Sequence, residues 1–132
     1  MVEIIGLIGI LGWAMNLTIT WQGFNRIKAV YYANVSISIV LAIAGIVLFP
    51  KKIADEVNSN VAGILFIPLL FVILHIIMSR AYNYLYGFPA DPGTYMSNQA
   101  KYSNRKLNFL DHLVIIIPAM LSFLIGIMIA RL

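Results

Sequence analysis

Residues 61–78 read VAGILFIPLLFVILHIIM, a run that contains no aspartate, glutamate, lysine or arginine. A membrane-spanning helix needs about 20 consecutive, mainly apolar residues, within a range of roughly 17–25. This run therefore predicts a helix that crosses a bilayer. Three further runs of the same kind occupy residues 4–21, 33–49 and 113–129. The sequence predicts an all-α membrane protein, a bundle of four transmembrane helices forming a single domain over residues 1–132.

The composition agrees with a membrane protein. The chain is 61% hydrophobic and 11% charged, with a mean hydropathy of +0.91, whereas soluble domains are about a quarter charged. Cysteine is absent, which excludes disulfides, thiolate metal sites and cysteine nucleophiles. The net charge of +4 is spread over loops and helix ends, so we expect contact with membrane lipids and none with nucleic acid. The residues expected at lipid headgroups are Arg26, Lys28, Lys101, Arg105 and Lys106.

Small and polar residues recur along three of the four runs at helical spacing. Residues four apart share one face of a helix, and small residues let transmembrane helices approach closely. Each set therefore predicts one packing seam, and we expect the seams of the first two helices to pack against each other. The predicted packing residues are Gly9, Gly12, Asn16, Asn34, Ser38, Ser122 and Gly126.

Pro68 lies in the middle of the third run. A proline inside a helix removes one backbone hydrogen bond and clashes with the carbonyl of residue i−4. The sequence therefore predicts a kink in the third helix.

Residues 80–112 are the one long polar passage of the chain, and we predict a long structured loop there between helices three and four. A connection of this length is usually either functional or disordered. Its aromatic side chains suit an interfacial belt or a binding face. The candidate partner-binding residues are Tyr82, Tyr84, Tyr86, Phe88 and Tyr95.

Basic residues are more numerous at one end of the predicted bundle than at the other. The first end holds Arg26, Lys28, Arg80, Lys101, Arg105 and Lys106, and the second holds Lys51, Lys52 and Arg131. Cytoplasmic loops of membrane proteins are enriched in lysine and arginine. We therefore expect loops 22–32 and 80–112 to face the cytoplasm and both termini to lie on the outer side. In that orientation the polar residues of the helices gather in the cytoplasmic half.

The two histidines and one aspartate form the candidate cofactor site. His75 lies late in the third run, and Asp111 and His112 precede the fourth, so all three fall at a similar depth. Imidazole commonly binds metals, with its second nitrogen oriented by a carboxylate or carbonyl, so a metal, a haem or a quinone are candidate ligands. The plainer interpretation gives His75 a carbonyl partner and places Asp111 and His112 among headgroups. Two histidines fall short of the three ligands of a catalytic zinc, so neither a metal site nor a particular cofactor is predicted.

Three functions remain open. The first is a non-catalytic accessory or structural subunit of a larger membrane complex, such as an energy-converting or redox complex, and it accounts for the packing seams and the aromatic loop. The second is a small homo-oligomeric channel or transporter in which Asn16, Asn34 and Ser38 line a polar path. The third is a membrane enzyme with a histidine-based cofactor or metal site. The first predicts that the chain has no catalytic activity of its own.

Overall fold

The computed structural model describes residues 2–51, 60–91 and 109–132, and within these ranges it contains helices and no strand. The four α-helices are α1 (Val2–Trp21), α2 (Lys28–Leu48), α3 (Ile67–Tyr86) and α4 (Phe109–Ala130). All four belong to segments long and apolar enough to cross a membrane. The prediction of an all-α integral membrane protein with four transmembrane helices is confirmed.

The third span lies at the centre of the bundle. It begins with a 3-10 segment, Val61–Phe66, and continues as α3. Both parts contact α1, α2 and α4, whereas α2 and α4 do not contact each other in the described part of the chain. In cross-section α1 and the third span therefore form the short diagonal, and α2 and α4 occupy opposite corners.

The glycines of the outer helices accommodate the third span. A Cβ atom on Gly9 of α1 would lie 2.8 Å from the carbonyl oxygen of Ile64, and one on Gly45 of α2 would lie 3.2 Å from the carbonyl oxygen of Ala62. Only glycine permits backbones this close. The expectation that the seams of the first two helices face each other is therefore wrong for Gly9, which is covered by the 3-10 segment.

Pro68 marks a change of helix type. It lies in the first turn of α3, where its missing N–H would have no intrahelical partner in any case. The carbonyl of Ile64, four residues earlier, accepts the N–H of Ile67 instead, in the 3-10 manner. The prediction that Pro68 lies mid-helix and kinks it is wrong, because the α-helix begins only at Ile67.

The helices around the predicted loop 80–112 are longer than the apolar runs. Residues 80–86 belong to α3 and residues 109–112 to α4, because a helix can continue into the headgroup region, where polar side chains reach water. α3 ends at Gly87, whose φ of 72° is left-handed and whose N–H donates to the Asn83 carbonyl at 2.8 Å, a common glycine cap. The remainder of the predicted loop, residues 92–108, lies outside the described residues.

Candidate functional site

A polar cavity of about 340 Å³ lies at the end of the bundle where α1 and α3 end and α4 begins. It is bounded by the end of α1 and the turn after it, the last turns of α3, the segment after α3, and the first turns of α4. We call it the polar cavity. Its polar lining residues are Thr20, Asn25, Arg26, His75, Ser79, Arg80, Asn83, Asp91 and Asp111.

Two buried aspartates form one wall of the polar cavity. Asp91 and Asp111 are 2% and 1% exposed, and the backbone N–H of Asp91 donates to Oδ1 of Asp111 at 3.0 Å. Nη2 of Arg26 lies 3.9 Å from Oδ2 of Asp91. Buried carboxylates require such partners, so this wall connects the turn after α1, the segment after α3 and the start of α4.

The candidate cofactor residues are only partly brought together. His75 and Asp111 both line the polar cavity, whereas His112 is not among its lining residues, because successive residues of a helix point about 100° apart. His75 stacks parallel to Phe71 with ring centroids 6.0 Å apart, and its Nε2 lies 3.4 Å from Oγ of Ser79. Within the described residues no group of three or more histidines and carboxylates is placed to hold a metal ion.

Three of the predicted packing residues form a buried hydrogen-bond network between α1 and α2. Nδ2 of Asn16 donates to Oγ of Ser38 at 3.1 Å, and Nδ2 of Asn34 donates to Oδ1 of Asn16. All three side chains are at most 3% exposed. Asn16 also donates to the Gly12 carbonyl at 3.1 Å. The two helices therefore meet through polar groups, at a different level from Gly9 and Gly45, which face the third span.

The predicted packing residues of α4 are buried as well. Oγ of Ser122 donates to the carbonyl of Ala119 at 3.1 Å, and a Cβ atom on Gly126 would lie 2.1 Å from Cγ1 of Ile67. Gly126 is thus pressed against the start of α3. Gly126 therefore lets α4 lie directly on the central span, whereas the hydrogen bond of Ser122 stays within α4.

The candidate partner-binding aromatics divide into two groups. The rings of Tyr82 and Tyr86 have centroids 4.7 Å apart, and Phe88 lies 5.7 Å from Tyr86. Tyr82 is buried, whereas Tyr84 is 90% exposed, since residues two apart on a helix point in nearly opposite directions. Tyr95 lies outside the described residues.

The predicted headgroup cations are divided in the same way. Arg26 lies at the wall of the polar cavity, and Lys28 is exposed at the first residue of α2. Lys101, Arg105 and Lys106 lie outside the described residues. Both described cations are therefore at the end of the bundle that holds the cavity.

Six polar lining residues of the cavity were not among the predicted site residues: Thr20, Asn25, Ser79, Arg80, Asn83 and Asp91. One signal was present, because His75, Ser79 and Asn83 are spaced by four residues and would share a face if the third helix continued. No comparable pattern marks Asp91. No protein-family model, no curated protein and no solved structure matches the chain.

Proposed function

We propose that this chain is a non-catalytic accessory subunit of a larger membrane complex and that it docks through the outward face of α2. The supporting observation is a set of exposed residues on α2, spaced alternately by four and three, which we call the α2 outer stripe. It consists of Ala29, Ala33, Ser36, Val40, Ile43 and Val47. This heptad spacing keeps the residues on one side of a helix and is typical of left-handed packing between transmembrane helices.

The residue types of the α2 outer stripe favour a protein partner. Its first half, Ala29, Ala33 and Ser36, is small, which lets another helix backbone approach closely. Its second half is β-branched, and such side chains have one strongly preferred rotamer in a helix, so packing them costs little entropy. Only 22% of the α2 span is buried inside the protein, the same share as for α1, so this face is available to a second helix and the residue types of the stripe distinguish it.

The channel alternative has less support. It requires Asn16, Asn34 and Ser38 to line a polar path, but these side chains are buried and bonded to one another. Beyond them Gly12 is covered by Leu41 and Pro68, and Gly9 and Gly45 are covered by the third span. The network therefore serves packing between α1 and α2. The enzyme alternative retains His75 and Asp111 at the polar cavity but not His112, which leaves its proposed site without one of the three groups.

We propose the orientation that the distribution of basic residues between the two ends of the bundle predicts. The end with the polar cavity carries Arg26, Lys28 and Arg80 and faces the cytoplasm. Both termini then lie on the outer side, and the partner chain contacts the α2 outer stripe within the bilayer.

Site-specific crosslinking tests the docking face. Because the chain has no cysteine, Ser36→Cys introduces a unique thiol in the α2 outer stripe. In the native membrane, a short thiol-reactive photocrosslinker on this residue should produce an adduct with a different protein chain. The control is Leu11→Cys on α1, where the leucine is 57% exposed; it should give little or no adduct.

Two results would contradict the docking proposal. An adduct of Ser36→Cys with a second copy of this chain would show that the chain forms a homo-oligomer through α2, in place of the proposed contact with a different subunit. Equal adducts at Ser36→Cys and Leu11→Cys would show that α2 has no preferred protein contact.

A further inference from the structure

An apolar groove of about 620 Å³ lies between α1 and α4. The rings of Trp13 and Phe123 lie in it with centroids 5.5 Å apart, and the indole N–H of Trp13 is turned away from lipid by its 3.3 Å bond to the Ala119 carbonyl. On α1 the groove extends from Trp21 to Ile10, about 16 Å at 1.5 Å per residue. The groove therefore offers a long apolar surface within the membrane-spanning part of the protein.

The apolar groove borders the polar cavity on both helices. On α1, Thr20 lines the cavity and Trp21 lines the groove, and on α4 the same division separates Ile115 from Ile116. Consecutive residues of a helix point about 100° apart, so the cavity and the groove lie on neighbouring faces of α1 and of α4 at the same level of the bundle. A polar chamber at the end of the bundle thus lies beside an apolar surface that extends toward the bilayer centre. The two surfaces together would match a molecule that has a polar headgroup and an apolar chain.

The polar cavity carries two carboxylates, Asp91 and Asp111, and two guanidinium groups, Arg26 and Arg80, and Arg80 is the group there that suits a phosphate headgroup. Arg80 lines it and makes no ion pair or hydrogen bond in the described part of the chain, whereas Arg26 already lies beside Asp91. Guanidinium groups bind phosphate by strong charge-assisted hydrogen bonds. Oδ1 of Asn25 is buried and has no hydrogen-bond partner among the described residues, so it can accept from a hydroxyl group next to the phosphate.

We propose that the polar cavity and the apolar groove together bind one membrane phospholipid, with its phosphate at Arg80 and one acyl chain along Trp13 and Phe123. The cavity volume lies in the range of about 300–1,000 Å³ that small-ligand sites occupy. The lipid would contact α1, α3 and α4, on the side of the bundle away from the α2 outer stripe. The proposal is therefore independent of the docking face of α2.

Native mass spectrometry of the full chain, purified in detergent and stripped of lipid, tests the site. Four probes separate its parts: phosphatidylglycerol, diacylglycerol with the same acyl chains, glycerol 3-phosphate, and inorganic phosphate. One phosphatidylglycerol per chain should remain bound. Diacylglycerol should bind at least about tenfold more weakly, because the charge-assisted bonds to phosphate are lost, and the two soluble phosphates should not bind at the same concentration.

Two variants and two matched controls locate the lipid. Arg80→Gln removes the cation of the cavity, and Leu124→Trp fills the groove, so each should weaken phosphatidylglycerol binding at least about tenfold. Arg131→Gln, at the opposite end of the bundle, and Leu121→Trp, an exposed site on α4 outside the groove, should leave it unchanged. Far-UV circular dichroism checks that all four variants remain helical.

Several outcomes would overturn the proposal. Unchanged lipid binding in Arg80→Gln or in Leu124→Trp would show that the two surfaces do not form one site. Glycerol 3-phosphate that binds as tightly as the lipid would assign the cavity to a soluble phosphate ester. A crosslink from Leu124→Cys to another protein chain, or to a second copy, would show that a helix and not a lipid occupies the groove.

Discussion

The backbone N–H of Asp91 donates to Oδ1 of Asp111 at 3.0 Å, and this bond joins the segment after α3 to the first turn of α4. Both side chains are almost fully buried. Arg26, in the turn after α1, adds a contact of 3.9 Å to Asp91. The polar cavity therefore owes one of its walls to residues that lie far apart in the sequence.

Removal of the carboxylate at position 111 should destabilise the protein. Asp111→Ala leaves the buried N–H of Asp91 without its acceptor, so we expect the free energy of unfolding to fall by about 1–3 kcal/mol. Asp111→Asn keeps an oxygen at this position and should lose less. Unfolding curves in detergent, followed by circular dichroism, compare the two variants. An Asp111→Ala protein as stable as the wild type would contradict the role of this bond.

Two neighbouring glycines of α1 should respond to alanine in opposite ways. A Cβ atom on Gly9 would lie 2.8 Å from the backbone oxygen of Ile64, which cannot turn aside, whereas one on Gly6 would make an ordinary 3.6 Å contact with Val61. Gly9→Ala should therefore lower the free energy of unfolding by about 1–3 kcal/mol. Gly6→Ala should be neutral or stabilising, because alanine favours the helix by about 0.5–1 kcal/mol. Similar thermal unfolding of the two variants would refute the close contact at Gly9.

The polar network between α1 and α2 should show measurable coupling. Nδ2 of Asn34 donates to Oδ1 of Asn16 inside the bundle. Interhelical hydrogen bonds in membrane proteins average about 0.6 kcal/mol in double-mutant cycles. A cycle built from Asn16→Ala, Asn34→Ala and the double variant should give a coupling free energy of about that size. Strictly additive losses of stability would mean that the two side chains act independently.

Two single-cysteine variants test the proposed orientation, because the natural chain contains no cysteine. Lys28 and Arg131 are exposed at opposite ends of the bundle. In intact cells a membrane-impermeant maleimide should label Arg131→Cys, and it should label Lys28→Cys only after the membrane is made permeable. The reverse pattern would invert the topology, and labelling of both in intact cells would contradict a fixed orientation.

Periodicity made the buried faces predictable from the sequence. Gly9, Gly12 and Asn16 recur at helical spacing, and in the structure they lie on the buried face of α1, because spacing alone determines which residues share a face. Spacing does not determine which helix covers that face. In the structure the 3-10 segment covers Gly9, whereas Leu41 of α2 and Pro68 of α3 cover Gly12.

The candidate site was predictable only where it lies on helices. His75 and Asp111 were identified because polar residues at the ends of apolar runs stand out, and Asn83 shared the four-residue spacing of His75 and Ser79. Asp91 carries no such signal, since it follows the helix end at Gly87 in a segment without periodicity. Its position against Asp111 depends on how the chain folds back, which local residue preferences do not encode.

Native mass spectrometry of the protein extracted gently from its own membrane tests the accessory-subunit proposal most directly. We expect this chain to migrate with several different protein chains and to leave that assembly when Ala33→Trp enlarges the α2 outer stripe. The matched substitution Leu11→Trp, on the exposed face of α1, should leave the assembly intact. A homo-oligomer or a monomer without other protein chains, in wild type and variants alike, would contradict the proposal.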